Sequence, residues 1–296
     1  MSIRSYNKSL FPFESKWLKI GGNDVHYIDE GMGEVILFCH PPISSSFMYR
    51  HLIKSLAKNF RCVSPDFPGF GLSRAHAGYS PSIESQAEIV EQLLKTLQLH
   101  SVYLVMQEVG GHSAMSVFLK YPQWLKGIIL TDTIIFPVSQ YPKISRMLNI
   151  VDGGIFNFFN SNFNVLIRML TSSAVKKRKM NNEEKETYKA MFNSKRARRE
   201  STAMLHQLAE SETLLSLIQQ AFETDFNNMP ALLIYGDEDS LTKLGVPQRI
   251  HKMLPNSELH WIQGEKHFPH EGAPGEMSQI ISSWVKRHRR VDVERG

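Results

Sequence analysis

The chain has 296 residues, 42% of them hydrophobic, enough for one large core with or without a smaller cap. Lys and Arg number 34 against 29 Asp and Glu, so the net charge of +5 is modest. Much of it sits in "KKRK" (176–179) and "KRARR" (195–199), which flank an acidic "NNEEKE" and read as solvated helix faces. No nucleic-acid motif accompanies these runs, so a nucleic-acid partner is not expected.

Short apolar strands alternate with helical patterns in the first half. "KWLKI" and "DVHYID" flank "GGN" and predict a hairpin. "EVILFC" (34–39) is apolar throughout, as a strand buried on both faces should be. A helix through "MYRHLIKSLAKN", the strand "FRCVSPD" and the loop "FPGFGLS" come next. The segment 80–99 has apolar residues at helical spacing and a Ser–x–x–Glu signal near its start. After it come the strand "SVYLVMQ", the helix "VGGHSAMSVFLKYP" and the strand "GIILTDT" (127–133).

The alternation then stops. Residues 138–226 contain helical patterns and no convincing strand, and alternation resumes with "PALLIYG" (230–236), "ELHWIQG" (258–264) and a last helix, "GEMSQIISSWVKRH". The prediction is an α/β core (1–137 and 227–296) carrying a mostly parallel sheet with helices on both faces, interrupted by a helical cap (138–226). No run approaches the ~18 apolar residues of a membrane span. The N-terminus has no apolar signal region, and Cys39 and Cys62 sit in strand-like runs. The expectation is a cytoplasmic protein with reduced, buried thiols and no membrane partner.

Three residues stand at predicted strand ends. Glu108 occupies the sharp strand–turn–helix corner of "VMQEVGG", where a nucleophile would be exposed. Asp239 comes just after the strand at 230–236, and His267, in "GEKHFPHE", just after the strand at 258–264. Nucleophile, acid and His in that order point to triad chemistry.

With these residues the chain resembles the α/β-hydrolase superfamily, in its haloalkane dehalogenase and epoxide hydrolase branch. The resemblance rests on "VHYIDEGMGEVILFCHPPISSSFMYRHLI", "RCVSPDFPGFGLS", the elbow "LVMQEVGG" and the cap piece "ETYKAMF". It implies an α/β-hydrolase fold in which an elbow carboxylate attacks carbon to form an ester. A His-activated water then hydrolyses the ester. Glu108 takes the nucleophile's place, His267 the base's and Asp239 the acid's, with Asp132 as the alternative acid.

Four features depart from that pattern. Glu108 carries one methylene more than the usual Asp, a reach of about 1.5 Å. The loop His40–Pro41–Pro42–Ile43 puts Pro42, which has no N–H, where the resemblance implies an oxyanion or halide donor. Val109 stands where a dehalogenase often has a halide-holding Trp, and none of Trp17, Trp124, Trp261 and Trp284 falls in the cap or elbow, so dehalogenation is disfavoured. Finally, a carboxylate within reach of His267 would raise its pKa and hold it protonated.

Tyr188, and after it Tyr141, are the cap candidates for an acid toward an epoxide oxygen. "FNFFNSNF" (156–163) is expected to line an apolar pocket or pack on the core. The partner expected is a small apolar substrate or ligand, without cofactor or metal, and a homodimer is left open. Three readings compete: a hydrolase of a small apolar ester, epoxide or activated carbon; a binding or sensor protein that has lost turnover; and a non-hydrolytic acid–base enzyme using Glu108.

Overall fold

The computed structural model describes residues 6–294. Its strands are β1 (Lys16–Ile20), β2 (Asn23–Glu30), β3 (Val35–Cys39), β4 (Arg61–Pro65), β5 (Val102–Met106), β6 (Leu125–Thr131), β7 (Ala231–Gly236) and β8 (Ser257–Ile262). They form one sheet in the order β1-β2-β4-β3-β5-β6-β7-β8. Only the pairings of β2, with β1 and with β4, are antiparallel. Every residue of β3, β5 and β7 is buried, which is why these segments read as unbroken apolar runs.

The core helices before the cap are α1 (Arg50–Leu56), α2 (Ile83–Thr96) and α3 (Glu108–Lys120). α1 is shorter than its pattern, because residues 46–49 form a 3-10 turn capped by the Ser45 hydroxyl. α2 begins at a box made by Ser82 and Ser85, whose side chains each accept from the other's backbone N–H. The Ser–x–x–Glu signal lay one turn further in.

Six helices separate β6 from β7: α4 (Pro142–Asp152), α5 (Gly154–Phe163), α6 (Val165–Ser173), α7 (Asn182–Met191), α8 (Lys195–Glu210) and α9 (Glu212–Glu223). After β7 come α10 (Ser240–Lys243), α11 (Val246–Met253), α12 (Pro269–Gly272) and the long α13 (Pro274–Glu294). Cys39 and Cys62 are buried in the sheet without a disulfide, and burial pushes both thiols far up.

"KKRK" is not on a helix. It lies in the loop between α6 and α7, and three of its four charges meet core carboxylates: Lys176 with Glu238, Lys177 with Glu276 at 2.8 Å, Arg178 with Glu271 at 2.8 Å. Among the described residues, no helix is long and apolar enough to cross a membrane.

Candidate active site

β5 runs into α3 through a corner at Glu108, whose φ of +45° is left-handed. A non-glycine residue held there costs about 1–3 kcal/mol and persists only when its surroundings impose it. Two glycines impose it. A Cβ on Gly110 would lie 2.0 Å from the His40 carbonyl oxygen, and one on Gly111 would lie 2.2 Å from Met106 Cγ. Without side chains, α3 starts hard against the ends of β3 and β5 and thrusts Glu108 over the sheet edge.

His267, in the loop between β8 and α12, donates from Nε2 to Glu108 Oε1 at 2.7 Å and from Nδ1 to Asp239 Oδ2 at 2.9 Å. Both ring nitrogens face carboxylates, which only the doubly protonated ring satisfies. Burial alone would push His267 down, but the charges of Asp239 and Glu108 outweigh it and hold the imidazole well above its usual value. Burial pushes Asp239 upward, yet His267 and the Leu241 N–H at 2.7 Å hold it below the usual carboxylate range. The remaining Glu108 oxygen, Oε2, is buried with no hydrogen-bond partner among the described residues.

Asp132, the alternative acid, reaches the same place. It lies just past β6 with φ +40°, and its carboxyl, that of Asp239 and the His267 ring have ligand atoms within 4.8 Å of one another. Burial first, and then the charge on Asp239, push Asp132 well above the carboxylate range. The neighbours therefore divide: burial favours the protonated form of Asp132, while Asp239 is the carboxylate bonded to His267.

His40 braces the loop behind the corner. Nδ1 donates to the Pro41 carbonyl at 2.8 Å and Nε2 accepts from the Phe67 N–H at 2.9 Å, a neutral ring that burial helps to keep neutral. Neither Pro41 nor Pro42 has an N–H to offer, and the Pro42 carbonyl accepts from Ser201 of α8 at 2.6 Å. Val109, fully buried in the first turn of α3, keeps its N–H at the positive end of the helix.

The cap tyrosines are engaged elsewhere. Tyr188 is buried and donates to Glu271 Oε1 at 2.6 Å, while the Tyr141 hydroxyl accepts from Arg249 at 3.2 Å. The four tryptophans lie in β1, a turn after α3, β8 and α13. The 156–163 segment departs from expectation, since Phe158, Phe159 and Phe163 face outward and neither line a pocket nor pack on the core.

The clamp around His267 is illegible in the sequence. The cap loop after α6 grips both flanks of the His loop: the Lys176 and Lys177 N–H groups donate to buried Glu265 at 2.6 and 3.0 Å. The Phe268 N–H donates to the Ala174 carbonyl at 3.1 Å, and Arg178 Nε donates to the Glu271 carbonyl at 2.9 Å. Glu271 also pairs with buried Arg50, which bonds Glu184 of α7 at 2.6 Å. His51, Glu184 and Glu271 bring three potential metal-ligand atoms together, but Arg50 and Arg178 already supply the cation there. His270 is buried beside the site with neither ring nitrogen bonded among the described residues, and burial, then the charge of His267, pushes it well below its usual value. Its one sequence signal was "FPHE", a second His three residues after His267.

A family model described as alpha/beta hydrolase fold matches residues 34–274. The chain belongs to the α/β-hydrolase fold family. Haloalkane dehalogenase 2 of Mycobacterium tuberculosis is 28% identical over 273 residues, covering 92% of this chain and 95% of that protein. The cis-3-alkyl-4-alkyloxetan-2-one decarboxylase of Shewanella oneidensis is 27% identical over 286 residues, covering 94% of this chain and 90% of that one. Among solved structures, the haloalkane dehalogenase DbeA of Bradyrhizobium elkanii superposes with a TM-score of 0.83 at 20% identity, covering 94% of this chain and 99% of that one. At that identity the likeness speaks to the fold. Relatives within this family are thus named for dehalogenation or decarboxylation.

The His267 ion pair gives the α/β-hydrolase fold a pH signature here. Its folded pKa is raised, so its contribution to stability is fully present below the unfolded value of about 6.5 and is lost as pH rises through the folded pKa. Melting curves of the wild type and His267→Gln should differ by the full amount at mildly acidic pH, below about 6.5, with the gap closing as pH rises through the folded value. A gap that grows with pH would mean the ring is neutral in the fold.

Proposed function

We propose that the chain is an α/β-hydrolase-fold enzyme in which Glu108 attacks a small apolar electrophile at a C–O bond, such as an epoxide or strained ester. The observation that carries this is the asymmetry of the Glu108 carboxylate: Oε1 is held by His267, and Oε2 is buried without a partner among the described residues. In the first step Oε2 bonds to carbon and the C–O bond breaks toward oxygen. His267 Nε2, no longer facing an anion once Glu108 is an ester, gives its proton to that oxygen. The ring is then neutral, with Nδ1 still donating to Asp239, and takes a proton from water, whose oxygen attacks the ester carbonyl. Collapse releases the alcohol, regenerates the carboxylate and leaves His267 protonated.

This cycle resolves the conflict between the ion pair and the need for a base. The pair lasts only while Glu108 is charged, so alkylation itself lowers the His267 pKa. It also explains how the reaction proceeds with Tyr188 and Tyr141 engaged elsewhere, because the imidazolium is the acid. A leaving oxygen needs that proton, whereas a departing halide needs N–H donors, and Pro42 and the remote tryptophans supply none. The Shewanella relative's name specifies an oxetan-2-one, a strained cyclic ester, which fits a C–O electrophile.

Single turnover in ¹⁸O-water tests the reading. Hydrolysis of a Glu108 ester puts the label into Glu108, detected as a gain of about 2 Da on its peptide. Labelled product with unlabelled Glu108 would overturn it and assign Glu108 to acid–base work. No turnover on esters, epoxides or haloalkanes would leave the binding-protein reading.

A further inference from the structure

α5 is built inside out. Its apolar residues Ile155, Phe158, Phe159 and Phe163 fall at i, i+3, i+4 and i+8, one stripe of an amphipathic helix. In a packed helix that stripe faces the core. Here the four are 80%, 62%, 50% and 60% exposed, and the buried positions are Asn160 and Ser161. The orientation is fixed by polar bonds: Asn160 Oδ1 accepts from the Leu166 N–H at 3.0 Å and the Ser161 carbonyl from Arg198 at 2.8 Å. The phenylalanines form an outward aromatic row, with ring centroids 5.5 Å apart for Phe158–Phe159 and 6.3 Å for Phe159–Phe163. α4, packed against α5, exposes Met147 and Ile150 as well. Exposed apolar rows of this kind mark an interaction surface.

Charge selects the occupant. Residues 142–180, which span α4 to the clamp loop, hold seven Lys or Arg and one acidic residue, Asp152. Lys176, Lys177 and Arg178 are paired with core carboxylates, but Lys143 and Arg146 are exposed on α4 and Arg168 on α6, the helices packed on either side of α5. A second copy meeting this face across a two-fold axis would set like charges together. A ten-residue helix is also only ~15 Å long, a small footprint beside the ~800 Å² per partner of a stable interface. A lipid surface needs no shaped partner: an interfacial helix sinks its apolar stripe about 5–10 Å into the headgroup boundary while basic residues meet anionic headgroups.

We propose that the α4–α6 face of the cap docks on an anionic lipid surface. This goes beyond the catalytic reading and does not depend on it. It also departs from the sequence expectation of no membrane partner, which rested on the lack of a span; a helix lying in the interface requires none.

The test is co-sedimentation of the full chain with phosphatidylcholine vesicles, with and without phosphatidylglycerol. Binding is expected to the anionic vesicles and to weaken with salt. Replacing Phe158, Phe159 and Phe163 together by Ser should lower partitioning about tenfold or more. The pair Lys143→Glu and Arg146→Glu should lower it on anionic vesicles. All five positions are exposed, so melting temperatures should stay close to wild type. No sedimentation with anionic vesicles, or sedimentation unchanged in both variants, overturns the proposal. A concentration-dependent dimer that the Ser variant dissociates, without vesicle binding, overturns it in favour of a second copy.

Discussion

Shortening Glu108 to Asp is expected to lower kcat/KM about 10²-fold, although Asp is the residue the family resemblance would put there. Removing one methylene withdraws the carboxylate by about 1.5 Å, so the 2.7 Å contact with His267 Nε2 opens beyond hydrogen-bond range. The backbone cannot move inward to compensate. Gly110 already sits so close that even a Cβ would meet the His40 carbonyl at 2.0 Å, and that carbonyl belongs to the loop braced by the His40 ring. The misplacement therefore passes undiminished to the reacting atoms, where a shift near 1 Å costs about 10²-fold. Kinetics of Glu108→Asp beside Glu108→Gln would measure it. Activity equal to or above wild type in the Asp variant would mean the pocket is still built for the shorter side chain, and the proposed fit to Glu108 would fail.

The sequence showed the corner residues because each sits on a local signal. Buried parallel strands are continuous apolar runs, and residues just past their C-terminal ends lie at the sheet edge, so Glu108, Asp239 and His267 could be placed without coordinates. The resemblance favours Asp239 over Asp132, but both sit at strand ends, and the hydrogen bond to His267 that distinguishes them is not written in the sequence. Orientation of the cap was the other blind spot. Periodicity shows that α5 has an apolar stripe but not which way it faces, and the pocket expectation for 156–163 failed on that point. "KKRK" likewise looks the same solvated or paired, because Glu238, Glu271 and Glu276 come from distant stretches. Tyr188 reads as a cap acid for the same reason: its partner Glu271 is 83 residues away.

Removing the charge of Arg50 is expected to destabilise the fold by about 3–5 kcal/mol, the cost of leaving a buried ion pair without one partner. The Arg50, Glu184 and Glu271 side chains are all almost completely inaccessible to water, so the two carboxylates are balanced by Arg50 and the partly exposed Arg178 and not by solvent. Arg50 pairs with both carboxylates, and in Arg50→Met the basic groups still facing them among the described residues would be Arg178 and half-buried His51. The double and triple variants separate charge balance from packing. Adding Glu184→Gln and Glu271→Gln to Arg50→Met should recover much of the loss, because no buried carboxylate is then left unpaired and the remaining Arg178 charge is partly exposed to solvent. Denaturant midpoints measure the stability arm, and a loss under about 1 kcal/mol would show that Arg178 suffices alone. The cluster also positions the site, because Glu271 lies four residues after His267 and is the core end of the clamp. Arg50→Met should therefore lower kcat more than it raises KM on a C–O electrophile. Stability lost with kcat unchanged would separate the clamp from the catalytic His.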